Sequence, residues 1–542
     1  MRKKLLFLLC ALFACFGSAK ADIWINSVYF PDSGFRTWVQ KHFDKPNGAK
    51  LTDEELASVK EIISWKENFS NVENLVGIQY FTELETLRLY NNRYAFQSLV
   101  MYLDLSKNKK LKKFTFTAND YFNPYSSASH GNQASRISVS APDYPYLRSV
   151  NLKDLPNLET VVIDEHMLSE LDLRGCPNLK TVEVTNGHNS ISTIKFDKCL
   201  HLETLNLNNC FDYNYNHMDW SLMPNLKHLN VDGNHFESLD FSSLQNLESL
   251  SCHFNHITSL NISNCRKLKS LICSGTDIKT LDCSMNDSLI SVDFSECKKL
   301  EEFPKLPKGI KSITCQYVPL LATADLSLYP NLTELNAAYC DLKTFDASKC
   351  RNLVALNLNY NFISALDLSC LKQLNIKKTF ISQKLNLGAT RIPNQIGLWR
   401  LELPEIVDLD KIFSYDYISD LKRFNYTLYA EYYTDDNGTR HPSFVTNFLY
   451  SGSNSTNIIF SYSYQTNLFY EKDGKQTELL MDAWVAAKQV PSGVEDLAAE
   501  KTVKGVVYYD LQGHESAVPF SGFNIEVTQF TDGTSQSKKI IK

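Results

Sequence analysis

Leucine returns at an almost constant interval through the middle of this 542-residue chain, and no other feature restricts its fold so strongly. The segments LKHLNV from Leu226, LESLSC from Leu247, LKSLIC from Leu268, LISVDF from Leu289, IKSITC from Ile310, LTELNA from Leu332 and LVALNL from Leu353 follow one another at steps of 21, 21, 21, 21, 22 and 21 residues. A beat kept over so many units predicts a solenoid, in which each coil stacks on the last and buries a shared apolar strip.

With 43% hydrophobic and 21% charged residues the chain reads as folded material. A net charge of -6 gives no basic field, which argues against a nucleic-acid partner. Residues 1–21 read as a signal peptide: a basic start at Arg2, Lys3 and Lys4, an apolar run from Leu5 to Phe16, and an Ala19-Lys20-Ala21 exit. A second reading takes Leu12-Phe13-Ala14-Cys15 as a lipoprotein box with Cys15 acylated, although the bulky Phe13 fits that poorly. No later apolar stretch approaches the length of a bilayer span. The expectation is an exported protein, at the outer cell surface or extracellular.

The twelve cysteines beyond Cys15 all lie between Cys176 and Cys370. Cys252, Cys273 and Cys315 stand where other coils have Val231, Phe294 and Leu358. Cys176, Cys199, Cys265, Cys297 and Cys350 each fall three residues before a leucine. The favoured expectation is small buried hydrophobes; disulfides between stacked coils are the alternative.

Five segments follow: the signal peptide; a helical cap at 22–75; the solenoid at 76–388; a β-sandwich-like domain at 399–490; and a small β module at 497–542. In the cap, Phe35, Trp38, Val39 and Phe43 share one helical face, and Thr52 with Glu55 forms a capping box. A polar, aromatic-rich insertion from about Asn119 to Tyr146 interrupts the beat. Between Trp399 and Trp484 alternation of period two takes over, with turns at Asp436-Asn437-Gly438 and Asp473-Gly474.

The coils resemble the leucine-rich repeat family. Its L-x-x-L-x-L-x-x-N signature appears as Leu226, Leu229, Val231, Asn234 and as Leu353, Leu356, Leu358, Asn361. The resemblance implies a strand on the concave side of each coil and an asparagine ladder at the ninth position. Asn234, Asn255 and Asn361 supply that ladder, and Thr276 and Cys340 weaken it. A second half-repeat, as in Leu281-Asp282-Cys283-Ser284, gives the coil another straight side and leaves no room for a long helix. The fold class expected is mainly β: a solenoid of 21-residue coils, some fourteen of them running on the order of 65 Å at about 4.8 Å each.

The last module looks like the C-terminal sorting domain of type IX secretion in Bacteroidetes. Tyr509-Asp510-Leu511-Gln512-Gly513, Pro519-Phe520-Ser521-Gly522, Asn524-Ile525 and the Asp532-Gly533-Thr534 turn carry that resemblance, while Phe523 departs from it. It implies a surface protein handled by a secretion machinery.

No catalytic constellation has adequate context, so the chain is read as a non-enzyme without cofactor or metal. Cys252 should point inward while His253 points out, which separates nucleophile from base. Asp44, Leu51 and Glu55 match positions 1, 8 and 12 of a calcium loop, but Pro46, Gly48 and Ala49 leave too few oxygen ligands. The recurrent Asp240, Asp282, Asp346 and Asp367, with Ser284, Ser348 and Ser369, read as turn formers and not as an ion ladder.

What remains is surface. The solvent-facing concave residues are His228, Asn230 and Asp232; Ser249, Ser251 and His253; Ser270 and Ser274; Ser291 and Asp293; Ser312, Thr314 and Gln316; Asn336; Asn357 and Asn359. They form the expected ligand-binding face for an unidentified protein of a host or neighbouring cell, in an adhesion role. The alternative is glycan binding by the aromatic β domain (Tyr429, Tyr433, Tyr462, Tyr464), with the solenoid as spacer.

Overall fold

The computed structural model describes residues 22–66, 69, 71–91, 99–118, 146–215, 217–391, 398–417, 428–435, 437–447, 457–489, 503–509, 515–516, 518, 523–530 and 535–541. The insertion aromatics Tyr121, Phe122, Tyr125 and Tyr144, and the segments Asp510–Gly513 and Pro519–Gly522, lie outside them. The chain divides into two compact units, Met1–Lys384 with Ser463–Ala483, and Leu385–Tyr462 with Trp484–Lys542.

The first unit is built on a fourteen-stranded parallel sheet from Glu61–Ile63 at one end to Thr379–Phe380 at the other. Each coil contributes one short strand in register with the next: Leu205 faces Leu229, Leu229 faces Leu250, and Leu250 faces Leu271. Alternation in a strand sends the middle residue inward and its neighbours outward. Leu229, Leu250, Leu271, Val292, Ile313, Leu335 and Leu356 are accordingly buried. The opposite side of the coils forms only short pairs, such as Ser238–Asp240 with Ser259–Asn261. There the acidic residues close turns: Asp240, Asp282, Asp346 and Asp367 accept from the amides of Ser242, Ser284, Ser348 and Ser369 at 2.8–3.0 Å.

Between strand and turn runs the ladder that joins coils, because carbonyls leaving the sheet need donors. Asn234 Nδ2 donates to Leu207 O one coil back at 2.9 Å and to Val231 O in its own coil at 2.8 Å. Asn255 and Asn361 repeat the pattern through Val231 O and Ala337 O, each at 2.9 Å. Cys297 and Cys340 do not simply interrupt it: their Sγ atoms reach Cys273 O at 3.2 Å and Cys315 O at 3.0 Å, the carbonyls an asparagine would take. A thiol is a weaker donor, so the link is kept at lower strength. Thr276 Oγ1 donates to Cys273 O in its own coil at 2.7 Å and lies 3.4 Å from Cys297 Sγ in the next, so the bond to the preceding coil is lost there. All twelve cysteines from Cys176 to Cys370 are free thiols, and every one except Cys370 is buried.

At the N-terminal end, helix α1 (Ser33–Phe43) starts on Asp32, whose Oδ1 accepts from Phe35 N at 2.8 Å, and buries Phe35, Trp38 and Val39. The same carboxylate reaches across with Oδ2 to the amides of Glu73 and Asn74, tying the cap to the chain entering the first coils. Helix α2 (Asp53–Ser58) opens on the Thr52–Glu55 capping box. At the other end Leu368 N donates to Thr466 O at 2.8 Å, which brings Ser463–Ala483 into the first unit. Period-two alternation alone groups that segment with 399–490, because it marks a strand without telling which body it joins.

In the second unit Leu398–Glu402 and Leu428–Thr434 flank Arg440–Asn447 in antiparallel register. A separate four-stranded antiparallel sheet comprises Val503–Tyr509, Glu515–Ser516, Phe523–Phe530 and Ser535–Ile541.

Candidate binding face

The parallel register brings the outward residues of successive coils into columns one strand spacing apart. His228, Ser249, Ser270, Ser291 and Ser312 form one column; Asn230, Ser251, Ile272, Asp293 and Thr314 form the next. These side chains are partly or fully exposed, and His228 Nδ1 lies 2.9 Å from Ser249 Oγ, which links the first two members of the column. Asn336 and Asn357 continue the second column, and Asn336 Oδ1 is a buried acceptor with no partner. Several named residues also hold the bend that follows the strand. Asn230, Asp293 and Asn357 accept from the amides of Asp232, Ser295 and Asn359, and Asn359 accepts from Ser382 N. Gln316 is half-buried in the same bend.

Asp232 differs from its column, being only 7% exposed. Its carboxylate accepts from Ser251 Oγ at 2.7 Å and His253 N at 2.8 Å, and His253 Nε2 lies 3.4 Å away. Burial pushes the Asp232 carboxyl above its usual range, opposed by those donors. Cys252 is fully buried and its thiol is pushed far up by desolvation, whereas His253 turns to Asp232; thiol and imidazole serve different surroundings.

One edge of the sheet is laced by charge. Lys112 meets Glu85, Lys180 meets Glu159, Lys227 meets Glu203 and Lys269 meets Glu248 at 2.6–2.8 Å. The other edge carries an aromatic column that the sequence reading overlooked: Tyr317, Tyr339 and Tyr360 stack at centroid distances of 4.5 and 4.6 Å. Their spacings of 22 and 21 residues were the signal that could have found them. A cleft of about 280 Å³ on the opposite side of the coils is lined by Trp220, Phe236, Asp219, Asp240 and His217. In the cap's calcium-like loop, Lys45 occupies the space among the oxygens. Among the described residues no cluster of His, Cys, Asp and Glu is arranged to hold a metal, and no helix is long and apolar enough to cross a membrane.

In the second unit the aromatic faces are engaged. Arg400 lies 4.3 Å over the Tyr433 ring, Arg440 lies 4.0 Å over Tyr432, and Tyr462 is 1% exposed. Tyr464, assigned to the first unit, is 3% exposed.

The Leucine Rich Repeat sequence model matches residues 225–247, the coil that opens at Leu226. Among solved structures, the chain is similar to the functional domain of InlJ from Listeria monocytogenes, described as including a cysteine ladder, with 17% identity over 87% of this chain and 100% of that one and a TM-score of 0.43. It is similar to the LRIM1/APL1C complex at 17% identity, covering 58% of this chain and half of that one, with a TM-score of 0.33. The leucine-rich repeat domain of APL1B gives 14%, 55% and 86%, with a TM-score of 0.26. No curated protein matches. The in-register strands, the buried leucine positions and the ninth-position ladder make the first unit a leucine-rich repeat solenoid.

Proposed function

We propose that this chain is an exported binding protein that engages a protein partner through the concave strand face of its solenoid. The observation that carries this reading is the pair of columns at His228–Ser312 and Asn230–Thr314, polar except for Ile272, held at fixed spacing by thirteen consecutive parallel strand pairings. A surface already ordered by its backbone loses little conformational entropy when a partner docks, so many modest hydrogen bonds add to a useful affinity. Adhesion to a host or neighbouring cell is the role such a display suits. Residues 1–21 serve as the export signal, and 497–542 serve as the sorting module read by the secretion machinery. Glycan binding through Tyr433 and Tyr462 gains no support, because arginine covers one ring and burial hides the other.

The test is partner capture from intact cells by photo-crosslinkers placed at Ser249, Ser291 and Thr314, with Ser270→Arg as a blocking variant. Capture of a defined protein by wild type, lost with Ser270→Arg, supports the reading; crosslinking to no protein from any position defeats it. For export, truncation before Gly505 should leave a folded protein retained inside the cell envelope, and normal surface display of the truncated chain would refute the sorting role.

A further inference from the structure

At the eighth position of successive coils the backbone turns left-handed, at Phe254, Gly275, Glu296, Tyr317, Tyr339 and Tyr360, with φ between 50° and 63°. Glycine takes that conformation without strain, and bulky side chains rarely do. The turn lifts each side chain outward at the rim of the concave sheet, which is why Phe254, Tyr317, Tyr339 and Tyr360 are 57%, 43%, 38% and 49% exposed.

The column is not continuous. The three tyrosines cover one another, but the ring of Phe254 leans across Gly275, so closely that a Cβ there would lie 2.6 Å from Phe254 Cδ1. Between that ring and Tyr317 the eighth-position residue is Glu296, which is exposed. With about 4.8 Å per coil, two repeats leave roughly 10 Å between the levels of Gly275 and Tyr317. That suffices for one flat group with a van der Waals contact of about 3.5 Å to each side. Asp277 pairs with Lys299 at 3.0 Å, and Glu301, farther along the coil of Glu296, pairs with Lys279 at 3.6 Å. Among the described residues Glu296 has no such cation. An exposed, unpaired carboxylate between two aromatic walls is complementary to a cation, and a planar guanidinium also offers a flat face to the rings and a two-pronged donor to the carboxylate.

We propose that the slot bounded by Phe254, Gly275, Glu296 and Tyr317 receives an arginine side chain of the protein partner. This rests on the protein-binding reading and adds to it the chemistry of one anchor. The guanidinium lies against the Tyr317 face and pairs with Glu296, while the partner's backbone crosses the neighbouring polar columns.

The test uses the full chain and a fluorescein-labelled glycine–arginine peptide, with its citrulline and lysine counterparts, followed by fluorescence anisotropy. The arginine peptide should bind at least tenfold tighter than the citrulline peptide and measurably tighter than the lysine one. Glu296→Gln and Tyr317→Ala should each weaken it about tenfold, whereas Tyr317→Phe, which keeps the ring, and Glu301→Gln, a paired carboxylate, should not. Unfolding temperatures of the variants separate loss of binding from loss of fold. Equal binding of the arginine and citrulline peptides, or an unchanged affinity in Glu296→Gln, overturns the proposal. If crosslinked partner capture persists in Glu296→Gln, the arginine anchor fails and protein binding stands; if wild type captures no protein, the broader reading fails.

Discussion

Lys45 Nζ lies 2.7 Å from Glu55 Oε1, and the same ammonium donates to Lys50 O at 3.0 Å. Counted from Asp44, those oxygens belong to the seventh and twelfth places of a calcium loop, so an internal cation takes the position a bound one would have held. The bond to Lys45 is also the main reason the Glu55 carboxyl sits below its usual range. Lys45→Met should loosen helix α2, raising amide exchange over Asp53–Ser58 by a factor consistent with about 1 kcal/mol, the scale of a part-exposed ion pair. Calcium should leave the wild-type rates unchanged. Because the folded carboxyl is the stronger acid, the contribution of Glu55 is complete above its unfolded value near 4.5 and fades as pH falls through the lowered one.

His166 provides a second pH dependence. Its ring is fully buried, its Nδ1 accepts from Leu168 N at 3.2 Å, and desolvation pushes its pKa down to about 3. The unfolded chain takes up a proton near 6.5 that the folded chain refuses until about 3. Stability from this group is therefore complete above 6.5 and is lost progressively toward 3; at pH 5 the loss is roughly 2 kcal/mol. Urea unfolding of wild type and His166→Gln should show the variant losing less stability between pH 7 and 5. Gly187→Ala should be destabilising at every pH, since its Cβ would meet His166 Cε1 at 2.4 Å.

The ninth-position ladder separates two kinds of cysteine substitution. Cys340→Asn gives the donor that Asn234 and Asn361 use and should preserve stability, whereas Cys340→Val leaves the Cys315 carbonyl without a donor from its neighbouring coil. Asn361→Leu should cost more, about 2–3 kcal/mol, because it strips partners from Ala337 O, Leu358 O, Cys340 N and Leu342 N together. Denaturant midpoints and amide exchange of the flanking coils measure both.

The leucine period made the solenoid legible, because burial of position four in each coil forces the same residue type at the same step, and it placed Asn230, Ser251 and Thr314 on one face before any coordinates. Burial of the thiols was legible for the same reason: Cys252 and Cys315 share places with Val231 and Leu358. The burial of Asp232 was not, since it depends on donors from Ser251 and His253 one coil away. Nor was the attachment of Thr466 to Leu368, a contact between residues almost a hundred positions apart. Local pattern carries no information about which distant strand supplies a missing bond.

Thiol chemistry offers the most direct check that one apolar spine runs through the coils. Cys370 is half-exposed, while burial pushes Cys176 and Cys199 up to about 11 and Cys265, Cys283 and Cys350 up to about 12. A reagent that attacks thiolates needs both access and ionisation; the eleven buried sulfurs lack access, and although hydrogen bonds from Cys273 and Cys315 hold the Cys297 and Cys340 thiols down, burial shields these two as well. With native protein at pH 8, a maleimide should label Cys370 first and only slowly, because its own thiol is raised by partial burial. The others should react together once denaturant opens the solenoid. Cys370→Ser should therefore abolish native labelling among the thiols from Cys176 to Cys370. Rapid native labelling of Cys252 or Cys273 would mean that the coils open independently, and a preformed concave face would then lose its basis.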